Sequence, residues 1–563
     1  MNPIAVLFEA LTNALRGLCN LLARFSPAPD FVVMEVSGAL PERRLAPRGL
    51  QRWLRRRFAT TQESLEEWRE RLTWLAADPR VKGIVLRIGD LQAGLATLES
   101  LRGALERFRA SGKRLVAHLP SATLRSYYLA SAAERLMAPE SAELSLHGLR
   151  TEATFLREAL DRLGILPQFH HIAEYKSAAN PFLYSSMPAP QREMLTSLLD
   201  SVFEEMVATI ARARQLPVDA VQRAIDQGIL STAEALSRQL IDAAAFEDQL
   251  PSVLADDGQP VNIRPWASVK PRLRRPYQWR SLRRQAIGVV QLVGTIGLGE
   301  SRELPIPLPL VGRQFAGHQT VVRALRLAER LRHIHAIVFH VDSPGGSAVA
   351  SDLIWHEVAR IQQHKPVVVH MGNVAGSGGY YVSCGARYIV AGATTLTGSI
   401  GVVAGKLDAQ GLYAKGGIHR EIITRGETAA MPSPFAAYTE TEWGMLRRWM
   451  EEIYQRFKER VAVSRGRSIE EVEAVARGRV WTGRQALEHG LVDEIGDLEA
   501  AVRQAKTLAG IPLEADLPVV TVRPPKTAAL PAPAAAAWEG ALRAIVQLLS
   551  EQALVIMPPE TLL

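Results

Sequence analysis

Only two cysteines occur in the 563 residues, Cys19 in an N-terminal hydrophobic stretch and Cys384 far along the chain. That count argues against a disulfide framework and leaves the compartment open, since secreted proteins also lack disulfides. No window reaches the roughly 18 uninterrupted apolar residues of a membrane-spanning helix. The N-terminus has no basic region ahead of its apolar run, and Glu9, Arg16 and Arg24 break that run. A cleavable signal is therefore not expected there. Neither a metal-ligand cluster nor a phosphate-binding loop is present, so the reaction is expected to need no metal, nucleotide or other cofactor. Acidic residues are missing from two stretches, Arg43–Phe58 with seven arginines and Arg264–Arg284 with seven arginines and Lys270. These account for the net charge of +8. They suit solvated loops, or an anionic membrane surface, because Trp53, Trp266, Tyr277 and Trp279 interleave with the arginines. No motif supports nucleic-acid binding, and none is expected.

Hydrophobic content of 47% and charged content of 22% fit a folded globular chain, and the length calls for more than one core. At the N-terminus Ile4, Leu7, Phe8, Leu11, Ala14, Leu15, Leu18, Leu22 and Phe25 recur at helical spacing. Glu9, Asn13, Arg16, Asn20 and Arg24 fall on the opposite side. The pattern predicts an amphipathic helix suited to lying in a membrane interface, or docked as a surface helix.

A duplication at a spacing of 253 residues organises the rest. Val81-Lys-Gly-Ile-Val-Leu-Arg-Ile aligns with Ile334-His-Ala-Ile-Val-Phe-His-Val, and Tyr127-Tyr-Leu-Ala-Ser-Ala-Ala with Tyr380-Tyr-Val-Ser-Cys-Gly-Ala. Gly148 meets Gly401, Gly164 meets Gly417, and Pro181-Phe182 meets Pro434-Phe435. So long a period indicates a duplicated domain. In each copy a β-branched strand (31–36; 287–293) is followed by a helix, a buried strand (84–88; 337–341), another helix and a third strand (114–118; 367–371). This alternation predicts an α/β fold of parallel sheets covered by helices. The expected organisation is a membrane-associating helix at 1–28, a first α/β repeat at 29–255 and a basic linker at 256–286. A second repeat follows at 287–512, then an Ala/Pro-rich tail at 513–563 with a short amphipathic stretch, Trp538–Val555.

The two copies differ where chemistry would sit. In the second, Val341-Asp-Ser-Pro-Gly345-Gly346-Ser347 puts two glycines after a buried strand, where backbone N–H groups can face a developing negative charge. The first copy has Gly89-Asp-Leu-Gln-Ala93 instead. Gly372-Asn-Val-Ala-Gly-Ser377-Gly378-Gly-Tyr-Tyr381 then presents Ser377 between small residues at a strand-to-helix turn, and its counterpart is Leu124. A serine nucleophile needs a base, yet no histidine stands near it in a recognisable pattern. His370 is in the preceding strand and His419 lies well beyond. The first copy offers Ala173-Glu-Tyr-Lys176-Ser-Ala-Ala-Asn-Pro-Phe182, and Lys176 aligns with Ala429. One copy holds the lysine without the serine, the other the serine without the lysine. That complementarity points to Ser377 as nucleophile and Lys176 as base, with the lysine's ordinary pKa near 10.4 necessarily lowered by burial. Gly345, Gly346 and Gly378 are the candidate oxyanion donors.

Several stretches together resemble the long, two-domain type of the signal peptide peptidase A (protease IV) family: Tyr175-Lys176-Ser-Ala, Asp342-Ser-Pro-Gly-Gly-Ser, Gly376-Ser377-Gly-Gly-Tyr-Tyr, Leu396-Thr-Gly-Ser399-Ile-Gly, Val480-Trp-Thr-Gly-Arg-Gln-Ala and Gly490-Leu-Val-Asp493. The resemblance runs from about residue 30 to 510. It implies a tandem Clp-protease/crotonase-like α/β fold and a Ser–Lys dyad with its two members in different domains. It implies a second serine, Ser399, that hydrogen-bonds the lysine. It also implies attachment to the cell's inner membrane and its lipid, homo-oligomers (a tetramer) and leftover signal peptides as substrates. One departure is visible: members of this length usually carry a clearer spanning helix. Three alternatives share features with the chain. A crotonase-type acyl-CoA enzyme would have the glycine turn without needing the Ser377/Lys176 complementarity. An α/β-hydrolase would have a turn like Ala375-Gly-Ser-Gly-Gly379, but with a placed histidine. A non-enzymatic membrane scaffold would not need Lys176, Ser377 and Ser399 intact.

Overall fold

The computed structural model describes residues 3–24, 28–44, 63–255, 258–271, 273, 285–308, 312–524 and 554–556. Trp53, Tyr277, Trp279, most of both arginine stretches and most of Trp538–Val555 lie outside these residues. The chain forms two compact units, Met1–Leu149 with Val202–Arg284, and Arg150–Ser201 with Gln285–Leu563.

The first unit is built on a six-stranded sheet in the order Ile263–Pro265, Phe31–Gly38, Gly83–Leu91, Arg114–His118, Arg135–Ala138, Ala243–Ala244. Every pairing in it is parallel. Continuous apolar runs such as Ile84-Val-Leu are buried because helices cover both faces of such a sheet. The helix Leu65–Ala77 begins with a capping box, Ser64 accepting from the Glu67 N–H while Glu67 reaches back. Pro3–Arg24 is helical, as the 3.6-residue pattern predicts. Its apolar side faces out: Leu7, Leu11, Leu15 and Leu18 are each more than half exposed, whereas Asn13 is buried and accepts from Arg16 Nη1 at 3.1 Å. A helix docked by its apolar face would show the reverse. Among the described residues no helix is long and apolar enough to cross a membrane.

The second unit repeats the plan with additions. Its main sheet runs Val480–Thr482, Leu396–Gly398, Val367–Gly376, Ile334–Ser343, Ala286–Val293, Val519–Thr521. The pairings are parallel except the one between Leu396–Gly398 and Val480–Thr482. The helices His318–Arg330, Ala348–Ile361 and Glu440–Arg465 bury Leu325, Ile354, Met450 and Phe457 against one face. Leu498–Leu508 buries Ala501 and Ala505 on the other. The tandem α/β fold with parallel sheets is thus as the sequence pattern predicts.

A second, seven-stranded sheet has no counterpart in the sequence reading. Its order is Arg302–Leu308, Gly312–Gly317, Thr295–Gly297, Gly345–Ser347, Leu554–Ile556, Val403–Asp408, Leu166–His171. Through it the segment 150–201, which precedes the second repeat in sequence, is built into the second unit. Leu166–His171 pairs antiparallel with Val403–Asp408 over six residues. Ala178 and Ala179 pack with Val403, and Met194, Leu195 and Leu198 pack with Val374, Leu396 and Val480.

Candidate active site

Ser377 sits where the strand Val367–Gly376 turns into the helix Gly378–Cys384, with φ +53° and ψ −113°. A β-carbon costs energy at that φ, and strain of this kind is held by neighbours that fix the backbone. Here Ser377 N–H donates to Gly398 O at 2.7 Å and Ser377 O accepts from Tyr381 N–H at 2.8 Å. The Asp342 carboxylate accepts from Val374 N–H at 3.1 Å, tying the end of one strand to the next. Glycine is required at 379 because an added Cβ would lie 2.6 Å from Ser343 O.

Lys176 lies just before a single 3-10 turn, Ser177–Ala179, within the segment that joins the second unit. It is completely buried, as are Ser377 and Ser399. Its Nζ is 2.6 Å from Ser377 Oγ, 2.9 Å from Ser399 O and 3.0 Å from Ser399 Oγ. Burial drives the Lys176 pKa well below 10.5, and no carboxylate offsets it. A neutral amine has two N–H donors and one lone pair. Two donors for Ser399 O and Oγ, with the lone pair facing the Ser377 hydroxyl, match the three contacts one for one.

Ser399 also has a positive φ, +52°, and its N–H donates to Arg479 O at 2.7 Å. Gly478 completes the cradle: its N–H donates to Ile400 O at 2.8 Å, and a Cβ on it would lie 2.6 Å from Lys176 Cβ. A Cβ on Gly401 would come within 3.2 Å of Lys176 Cδ. The sequence reading passed over Gly478, although Arg477-Gly-Arg479 directly precedes the motif Val480-Trp-Thr-Gly.

Gly345 and Gly346 form the short strand Gly345–Ser347 with φ +104° and +149°. A Cβ on Gly346 would strike Ile296 O at 2.0 Å, so only glycine lets this strand lie against Thr295–Gly297. The Gly345 N–H is engaged by Ser343 Oγ at 3.1 Å. His370 is spoken for as well, its Nδ1 lying 2.9 Å from His340 Nδ1 in a stacked pair. No group of three or more His, Cys, Asp or Glu able to hold a metal ion occurs among the described residues. Cys384 is buried and free.

Comparison with known proteins gives a consistent result. The model of peptidase family S49 matches the chain twice, at residues 107–260 and 359–512. The chain is 32% identical over 476 residues to the serine protease SPPA, chloroplastic, of Arabidopsis thaliana, covering 82% of this chain and 68% of that one. It is 32% identical to Protease 4 of Haemophilus influenzae over 447 residues, 77% of this chain and 71% of the other. Protease 4 of Salmonella typhi is also 32% identical, over 448 residues, with shares of 77% and 70%.

Proposed function

The chain belongs to peptidase family S49, and on that premise we propose that this serine peptidase works through a Ser377–Lys176 dyad. Its substrates are apolar peptides, cleaved signal peptides among them, at a membrane surface. The observation that carries the reading is the buried, uncompensated Lys176 Nζ at 2.6 Å from Ser377 Oγ. A buried lysine without a carboxylate costs stability, and a depressed pKa is what makes an amine a base near neutral pH.

In the first step the Lys176 lone pair takes the Ser377 proton as Oγ attacks the scissile carbonyl carbon. The oxyanion is held by the N–H groups of Gly346 and Gly378, because the Gly345 N–H is engaged with Ser343. The lysinium then protonates the leaving amine, and the neutral Lys176 amine so restored deprotonates a water that hydrolyses the acyl-serine, returning the proton to Ser377 Oγ. Ser399 is a positioning residue that orients the amine through its carbonyl and hydroxyl. A crotonase-type or purely scaffolding role gives no reason for this arrangement.

The test of the base is a pH profile. Only neutral lysine is competent, so kcat/KM on an apolar fluorogenic peptide should rise with pH through the depressed lysine pKa and then level off. A rate falling steadily from about pH 6 to 9, in enzyme still folded, would contradict a lysine base. Ser399→Ala should lower kcat more than it raises KM, because it misplaces the base and not the substrate. In that variant the pH midpoint should also move, which loss of packing alone would not do.

Attachment to lipid is supported by the exposed leucine face of Pro3–Arg24. Each apolar side chain removed from water contributes roughly 1.5–3 kcal/mol, and arginines near an anionic surface about 1 kcal/mol each. The helix lies in the plane of the membrane, on which side chains such as Glu9 and Arg16 stay wet. Full-length protein should float with anionic liposomes, less so as salt rises, and deletion of residues 1–28 should abolish flotation while peptide cleavage persists. Resistance to carbonate extraction would instead indicate a spanning segment. Homo-oligomers, a tetramer foremost, belong to the same reading, and sedimentation in mild detergent checks them.

A further inference from the structure

The segment that carries the base also buries polar groups for which the dyad has no use. Lys176 is the middle of a tight turn, φ −77° and ψ +76°, closed by Ser177 N–H donating to Tyr175 O at 2.9 Å. The 3-10 turn Ser177–Ala179 follows at once, with Asn180 as its cap. Residues three apart on such a turn stand over one another, so Ser177 and Asn180 share a face. Asn180 Nδ2 donates to Gln191 Oε1 at 2.9 Å, in the first turn of the helix Ala189–Arg214. Ser177 and Gln191 are 0% exposed and Asn180 2%. Yet Ser177 Oγ, Asn180 Oδ1 and Gln191 Nε2 have no hydrogen-bond partner among the described residues. Exchanging O and N in both amides only reverses their bond, and again leaves one carbonyl and one NH₂ over. The cluster lies at the site. Gln191 shares its helix face with Met194, Leu195 and Leu198. These pack on Val374, three residues before Ser377, and on Leu396, three before Ser399.

We propose that Ser177, Asn180 and Gln191 bind a water beside Lys176, and that this is the water that hydrolyses the acyl-serine. Leaving buried polar atoms unbonded is costly, and a buried water makes about three hydrogen bonds. The count matches: the water accepts from Gln191 Nε2 and donates to Asn180 Oδ1 and Ser177 Oγ. Ser377 and Lys176 are completely buried and do not draw on bulk solvent, whereas each turnover consumes one water. The inference rests on the Ser377–Lys176 reading. Once the leaving amine has departed, neutral Lys176 takes a proton from this water as its oxygen bonds to the acyl carbon. The ester C–Oγ bond then breaks, and Oγ takes that proton back from the lysinium. The product leaves as a carboxylic acid, and the next water enters as it goes.

The test uses the full-length chain and an apolar peptide ester, on which acylation is fast and deacylation limits turnover. Ser177→Ala removes one hydrogen bond to the water and should lower kcat about tenfold. KM should fall with it, leaving kcat/KM unchanged, and intact mass should show the acyl group held on Ser377. Asn180→Leu combined with Gln191→Leu removes the amide pair together, so neither partner is left unbonded, and should lower kcat further in the same manner. Residues that merely support the base would lower kcat/KM and accumulate no acyl-enzyme, and that result would overturn the water site. Unchanged kinetics in Ser177→Ala and in the double variant would overturn it too. In both cases the dyad stands so long as Ser377→Ala is inactive on the ester. A Ser377→Ala chain that still turns the ester over would remove the dyad, and the water site with it.

Discussion

Replacing either Ser377 or Lys176 by alanine should abolish peptide cleavage in a protein that still folds. Groups that act as a unit lose nearly all their effect together, so each single change should cost on the order of 10⁴-fold or more in kcat. Lys176→Met separates chemistry from folding, because it keeps most of the buried stem and removes the amine. Its effect on stability has a definite sign. The Lys176 pKa in the fold lies well below the 10.5 of an open lysine, so between those values the unfolded chain binds a proton that the folded chain lacks. Wild-type stability therefore rises with pH over that window, and the penalty disappears above 10.5. Lys176→Met should accordingly melt higher than wild type at neutral pH, and the gap should narrow as the pH is raised. His419→Ala, and His489→Ala at the ring packed against Trp481, should leave turnover intact. A folded Lys176→Ala protein with near-normal turnover would refute the mechanism.

Gly478→Ala should cost about 100-fold in turnover, less than loss of the base itself but large for a residue that carries no reacting atom. Its φ of +77° disfavours any β-carbon, costing about 1–2 kcal/mol. The added methyl would also lie 2.6–2.7 Å from the Lys176 backbone and Cβ. The lysine must then shift. Displacing a reacting group by about 1 Å can cost about 100-fold, so kcat should fall by roughly that factor with KM little changed. Circular dichroism should report a folded protein. A larger drop in binding than in turnover would show that Gly478 shapes the groove and not the base. Gly401→Ala, whose added Cβ would stand farther off, 3.2 Å from Lys176 Cδ, should give a smaller loss of the same kind.

Much of this was legible in the sequence, for reasons that can be named. The strands Phe31–Gly38, Gly83–Leu91 and Arg114–His118 and their copies are apolar runs that only a covered parallel sheet can hide. The repeat isolates Ser377 and Lys176 because each is lost from one copy. The second sheet was not legible. Its strands Gly345–Ser347, Val403–Asp408 and Leu554–Ile556 are short or glycine-bearing and carry no alternation of their own. They form because neighbours supply the hydrogen bonds. The repeat alignment, Gly164 with Gly417 and Pro181-Phe182 with Pro434-Phe435, assigns residues 150–201 to the first repeat, and the first family match, at 107–260, includes them; in the fold, however, the six-residue ladder with Val403–Asp408 packs them with the second unit. Gly478 was missed because its need for glycine comes from a lysine some 300 residues away in sequence, which no local pattern records.

That ladder has a consequence for the time at which the protein becomes dangerous to its surroundings. Lys176 leaves the ribosome with its side chain in water, charged and inert. The groups that enclose it, Ser377, Ser399 and Gly478, follow 201 to about 300 residues later. At about 5–20 residues per second, some 15–60 seconds of synthesis separate the base from the last wall of its cavity. The nascent chain can hold no neutral lysine until then. Order of translation alone therefore keeps the unfinished peptidase silent.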